Sequence, residues 1–309
     1  MNQAKRELQA KFKMTDLGEV HHILGLRILR NDTKTSIDQA HYVRDILKKN
    51  NMYECTPVNT PMEANIKLIP LPANEEGYKV HEYRSIIGAL NYAAVLTRPD
   101  IATVVGLLAR HMQKPGKTHW DALQCILRYL KGTIDYRLVY TNTAHENNRI
   151  DLQVYCDSDW AGNLSDRKSM TGYVIMINGT AIGWRSTKQT SVAQSTVEAE
   201  YASIATTITE VLWIRSVLRE LGFIPTTTTI INADNSGAIN IVKNTIIGQQ
   251  LKHVDIKHSL IRDNVEANTI RVQYCSSESN MADAFMKALP GPRFIECRAE
   301  MDIKKIGIT

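Results

Sequence analysis

Apolar residues recur along this chain at two different periods, and the change of period marks out its elements. In the first half the pieces are short. Residues 18–29 read as a strand, Asn31-Asp32 as a turn, and residues 34–38 as a short extended stretch. Residues 40–50 repeat at helical spacing through Tyr42, Ile46 and Leu47. A proline-punctuated connector over residues 56–72 leads to three helices, predicted at 81–96, 99–112 and 117–130. Thr118 is the expected cap of the last, with Asp121 in its first turn.

A polar run over residues 141–149, TNTAHENNR, separates two expected domains, 1–140 and 150–309. The second opens with a strand at 150–156 and a hairpin whose arms, 170–177 and 181–186, flank Asn178-Gly179. A long helix is predicted over 195–221, with Val197, Tyr201, Ile204, Ile208, Val211, Leu212 and Leu218 on one face. A strand at 226–233, helices at 236–243 and 254–266, a strand at 270–275 and a closing helix at 281–289 complete the order. Short turns make the first three strands an antiparallel meander. The later two arrive through helical crossovers and should join in parallel. The expected fold class is α/β, a five-stranded mixed sheet with helices, preceded by a smaller and mainly helical region.

Composition narrows the class. With 309 residues, 43% hydrophobic and 22% charged, the chain fits neither wholesale disorder nor a fibrous repeat. No apolar run reaches the length of a membrane span, and the start, MNQAKRELQAKFK, lacks the apolar core of a secretory signal. Five scattered cysteines, never spaced as CxxC, argue against a disulfide framework or zinc ribbon and for a reducing, intracellular setting.

The charge is uneven. Residues 1–150 carry 21 basic and 15 acidic side chains, and residues 151–309 carry 16 and 17, so +6 and −1 make the net +5. A basic first half can hold a polyanion through its phosphates. Arg110, His111, Lys114, Lys117, His119, Arg128 and Lys131 concentrate on the last two predicted helices of that half, the best candidate for a phosphate-facing surface. A solvated helical face explains the same residues if they are judged alone.

Four acidic positions stand where chemistry could use them: Asp157 at a strand end, Glu200 early in the long helix, Asp234 at another strand end, and Asp283 at the start of the closing helix. Strand ends and helix starts of one mixed sheet can meet in space. Carboxylates that meet cannot all stay ionised without cations, and hard oxygen ligands suit Mg²⁺ or Mn²⁺. Each residue also has an ordinary role. Asp157 and Asp159 could both be turn residues, and periodicity does not choose between Glu198 and Glu200. Asp234 and Asp283 could be caps or first-turn acids. Taken together and in this order, they favour a metal centre.

Longer motifs carry a resemblance. YCDSDWAG, DRKSMTGYVI, IGWRSTKQTSVAQSTVEAEY, ADNSGAI, KHVDIKHSLIRD and NMADAFMKAL resemble the ribonuclease H domain of copia-type LTR retrotransposon Pol polyproteins. FKMTDLGEVHHILGLRI, YVRDILKKNNM, NTPM, YRSIIGALNYAAVLTRPDI and THWDALQCILRYLKGT resemble the reverse transcriptase of the same polyproteins, downstream of its polymerase active site. The resemblance implies a ribonuclease H-like sheet after a reverse transcriptase-derived region. It implies Asp157, Glu200, Asp234 and Asp283 as catalytic metal ligands for two ions, Mg²⁺ or Mn²⁺. The implied reaction is hydrolysis of the RNA strand of an RNA–DNA hybrid, with recognition through 2′-hydroxyls.

Around that centre, Arg185, Lys188, Arg110, Lys114 and Lys117 are the candidate nucleic-acid contacts, with Trp184 on the same hairpin. Ser195 is expected to cap the long helix. His253 and His258 are five apart and have no cysteine to complete a zinc site. The stretch YCSSESNMAD lacks the flexible histidine of other ribonuclease H lineages, and Met286 stands where the family usually has Thr. The polymerase aspartates would lie just before Phe12, so DNA synthesis by this chain alone is not expected. Expected partners are an RNA–DNA hybrid and other Pol or Gag products, with no membrane. The expected location is the cytoplasm, in a virus-like particle, or the nucleus. The rival reading is a non-catalytic nucleic-acid-binding remnant of a degraded or domesticated retroelement.

Overall fold

The computed structural model describes residues 2–64, 66–141, 149–162, 166–225, 228–243 and 255–305. The first half begins with helix α1 (Asn2–Lys11), strands β1 (His22–Ile23), β2 (Leu26–Arg30) and β3 (Lys34–Asp38), and helix α2 (Ala40–Lys49). The single strand expected over 18–29 is instead a hairpin, because Leu24 and Gly25 both take positive φ and turn the chain between Ile23 and Leu26. Leucine sends no turn signal, so the break was hidden. Helices α3 (Val80–Leu96), α4 (Pro99–Ala109) and α5 (Lys117–Gly132) follow, close to their predicted spans. Gly116 rather than Thr118 caps α5: the Gly116 N–H donates to His119 Nδ1 at 2.8 Å, so the side-chain acceptor lies inside the helix.

Strand β4 (Tyr136–Thr141) closes the first half. After it come β5 (Arg149–Ile150), β6 (Leu152–Asp159), β7 (Met170–Ile177), β8 (Thr180–Lys188) and the long helix α6 (Thr196–Glu220). Strands β9 (Ile224–Pro225) and β10 (Thr229–Ala233), helices α7 (Ser236–Lys243) and α8 (Asp255–Glu266), and strand β11 (Ile270–Tyr274) complete the expected order. Asn178 and Gly179, with φ of 52° and 82°, make the β7–β8 turn. The sheet runs β11-β10-β6-β7-β8, with β6, β7 and β8 antiparallel and β10 and β11 added in parallel, the ribonuclease H-like mixed sheet of the sequence reading.

The chain's end departs from the predicted closing helix. Met281–Phe285 forms a 3-10 turn, and helix α9 (Gly291–Glu300) and strand β12 (Ile303–Lys305) return to the first half. There β12 pairs antiparallel with β4 and completes a five-stranded sheet, β1-β2-β3-β4-β12. The first half is therefore not only helical. Pro290 and Gly291 open α9, an element that the sequence reading, which ended at residue 289, did not include.

Three cores follow. Helices α2 to α5 bury one with Phe294 and Cys297 of α9, and the second sheet buries another against α6, α7 and α8. A third lies between the two sheets, where Leu138 and Ile303 meet Val174, Met176, Ala181 and Phe285. Hydrogen bonds cross the same seam: Thr103 Oγ1 donates to the Ala284 carbonyl at 2.7 Å and Trp184 Nε1 to the Ala94 carbonyl at 2.8 Å. Among the described residues no helix is long and apolar enough to cross a membrane.

Candidate active site

The carboxylates gather where β6, β10 and α6 meet. Asp157, Glu200 and Asp234 each offer an oxygen, and these oxygens lie within 4.8 Å of one another. Local structure explains each position. Ser195 caps α6 by accepting from the Glu198 N–H at 3.2 Å, while the Glu198 carboxylate accepts from the Gln194 N–H at 2.7 Å. Glu198 is thereby committed to the helix start, and Glu200 turns inward to 6% exposure. One turn later Ser203 donates to the Asp157 carbonyl at 2.7 Å and ties α6 to β6. Asp234 follows β10 and accepts from Ser277 Oγ at 2.6 Å.

Asp283 reaches the same neighbourhood from the 3-10 turn. Buried Asn280 holds that turn: its Nδ2 donates to the Cys156 carbonyl at 3.1 Å, and its Oδ1 accepts from the Ala282 N–H. Gly172 makes the approach possible. It sits opposite Asp157 in the β6–β7 ladder, and a Cβ there would lie 2.5 Å from Met286 Sδ and 2.9 Å from Phe285 Cβ. Asp283 stands outside the triad and pairs with Lys287 Nζ at 2.8 Å.

The carboxylates act on one another's protonation. Burial, then the charge of Asp234, pushes the Asp157 carboxyl up to about 7, with Lys287 opposing. Burial, then Asp157 and Asp234, pushes Glu200 up to about 8. Glu200 Oε2 is buried with no hydrogen-bond partner among the described residues. Three converging carboxylates with an orphaned buried oxygen fit a hard divalent ion such as Mg²⁺ or Mn²⁺.

The basic candidates scatter. Lys188 pairs with Asp166 at 2.7 Å and, with Arg110, lines a cavity of about 430 Å³ that also touches Asp159 and Lys287. Arg185 lies 3.7 Å from Glu210, two to three turns along α6 from Glu200. Lys114 donates to the Pro72 and Ala73 carbonyls, and Lys117 pairs with Asp121. Trp184 packs into the seam between the halves rather than facing the carboxylates. His253 and the side chain of His258 fall outside the described residues.

Sequence reasoning missed Gly172, Asn280 and Lys287. The first two act through contacts made across more than a hundred residues, as between Asn280 and Cys156. Lys287 carried a local signal, four residues after Asp283.

Comparison with known proteins adds the lineage. The family model described as reverse transcriptase (RNA-dependent DNA polymerase) matches residues 1–64. The Pol polyprotein of transposon TNT 1-94 from Nicotiana tabacum is 37% identical over 95% of this chain. That of transposon RE1 from Arabidopsis thaliana is 36% identical over 98%. The chain spans only 22% and 20% of those two relatives' own length. Among solved structures, LC11-RNase H1, isolated from compost, overlaps 44% of this chain and 91% of its own, at 14% identity and a TM-score of 0.35. Related along nearly its whole length to the polyproteins of these transposons, the chain belongs to the copia-type LTR retrotransposon Pol family.

Proposed function

We propose that this chain is a ribonuclease H-type endonuclease that cuts the RNA strand of RNA–DNA hybrids. It would use two divalent ions, Mg²⁺ or Mn²⁺, held by Asp157, Glu200, Asp234 and Asp283. The observation that carries the reading is the convergence of Asp157, Glu200 and Asp234, two of them with raised carboxyl pKa values. The family supports the substrate, since RNA-dependent DNA synthesis leaves RNA paired to DNA.

When bound, the ions supply Lewis-acid activation of a water and stabilise the leaving 3′-oxygen. The chain's own residues do the rest. Asp157 and Glu200 would hold a cation as carboxylates, because its charge would compensate the one that burial penalises. Ser203 and Asn280 hold the strand carbonyls of Asp157 and Cys156, on either side of the Asp157 Cα, which fixes the Asp157 backbone against α6 and the 3-10 turn. Lys287 keeps a positive charge beside Asp283.

A labelled RNA–DNA hybrid incubated with the protein and Mg²⁺ tests this. RNA cleavage is expected, lost in EDTA, and reduced more than about 100-fold in Asp157→Asn and in Glu200→Gln. Undiminished cleavage in either variant would overturn the site. Hybrid binding by the wild type without turnover in Mg²⁺ would leave the non-catalytic remnant as the better reading.

A further inference from the structure

The cavity beside the carboxylates is built by both halves of the molecule. Its wall takes Lys67 from the connector and Arg110 from the end of α4, together with Asp159, Lys188 and Lys287 from the second half. The charges there are unequally spent. Lys188 is paired with Asp166 and Lys287 with Asp283. Lys67 and Arg110 have no carboxylate within ion-pair distance among the described residues; Arg110 Nη2 donates to the Met170 sulfur at 2.8 Å and feels Asp166 and Asp159 only at longer range. The free positive charge of the cavity thus comes from the first half.

The cavity also touches the acidic centre. Lys287, on its wall, pairs with Asp283, and the charges of Lys287 and Asp283 both act on Asp157. Asp159 lies over Gly162, where a Cβ would lie 1.8 Å from its Oδ2, and among the described residues it is the one carboxylate on the cavity wall, acting on Arg110. An anion in the cavity would meet a guanidinium fork and an ammonium group next to the site of cleavage. That arrangement suits the tetrahedral, doubly accepting oxygens of a phosphodiester.

We infer that this cavity seats a backbone phosphate of the nucleic acid, held by Lys67 and Arg110 across the seam from the carboxylates. The inference rests on the proposed ribonuclease H reading for the identity of the polymer. The first half is then part of the substrate groove and not only a covering for the second sheet. The contact reads phosphate and not base, so it positions the strand without selecting sequence.

Binding of the full chain to a fluorescent RNA–DNA hybrid in EDTA, across a salt series, tests the inference without turnover. Lys67→Gln and Arg110→Gln should each weaken binding by about tenfold at low salt and lower the slope of log Kd against log salt by about 1. The double variant should lower it by about 2, and Arg110→Lys should restore most of the slope lost in Arg110→Gln. Arg262→Gln, which removes an exposed charge from α8, is the control for general electrostatics. A double variant with unchanged slope and unchanged melting temperature would overturn the inference. So would an equal loss in Arg262→Gln. A protein that binds in this charge-dependent way but never cleaves would retain the phosphate seat and lose the catalytic reading, so the two failures are distinguishable.

Discussion

Buried acids occur in both halves of this protein, and their surroundings differ in one respect. Asp100, at the start of α4, is fully buried with its own cation: Arg98 donates to both carboxylate oxygens, at 2.9 and 2.7 Å, and Tyr129 donates as well. Burial alone would push Asp100 up, but Arg98 and these hydrogen bonds outweigh it and leave the carboxyl below its ordinary value. Asp38 is similarly enclosed by Arg27 and Arg137, at 2.9 and 3.1 Å. Asp157 accepts from the Ser158 N–H at 2.7 Å, but among the described residues neither it nor Glu200 is ion-paired with a cation, and their carboxyls rise to about 7 and about 8. The first half neutralises its buried acids internally. The second leaves Asp157 and Glu200 without a paired cation among the described residues, which is the difference that the proposed metal site would use.

The strongest way to break this comparison is to remove one charge on each side. Arg98→Met should cost about 3–5 kcal/mol, because it strands Asp100 in the core. Asp157→Asn should raise stability in EDTA, because it removes repulsion from Asp234. Denaturant unfolding of both variants in EDTA checks the opposite signs. A loss in both would mean that the triad is also internally compensated.

The metal-free pH profile sharpens it. Unfolded carboxyls titrate near pH 4, so between there and about 8 the native state holds protons on Asp157 and Glu200 that the unfolded chain has released. Stability in EDTA should therefore fall as pH rises from about 6.5 to about 8, by about 1.4 kcal/mol per pH unit for each retained proton, and level off above it; below that range the lowered His111 and His119 act in the opposite sense. Saturating Mg²⁺ should flatten the slope, since binding displaces those protons. A profile in EDTA that rises between about pH 6.5 and about 8 would contradict raised carboxyls.

The smallest expected effect falls on packing. Gly172→Ala must push Phe285 and Met286 back, at a cost of about 1–3 kcal/mol, and move Asp283 away from Asp157. Lower cleavage with a modest drop in melting temperature is expected. Full activity would show that Asp283 does not need that position.

Much of the second half was legible in local chemistry. Asn178-Gly179 set the β7–β8 hairpin, Ser195 began α6, and alternation and crossover length distinguished antiparallel from parallel neighbours. The first half was less legible because its breaks carry weak signals. Leu24 turns the chain without a turn residue's side chain, and His119 serves a cap from inside its helix. Strand β4 finds β3 about a hundred residues before it, and the short β12 pairs only with β4, 160-odd residues away.

The sequence by itself determined the elements of the sheet around the carboxylates and their order, since turn chemistry, caps and apolar periods act over a few residues; the choice of Asp157 over Asp159 and Glu200 over Glu198 came from the family resemblance, not from any local period. Tertiary structure decided which of those acids lack a cation. It also returned α9 and β12 to the first half and set Lys67 and Arg110 beside the acidic centre. Those outcomes depend on which distant groups come to share a low-dielectric space, and no local pattern encodes that.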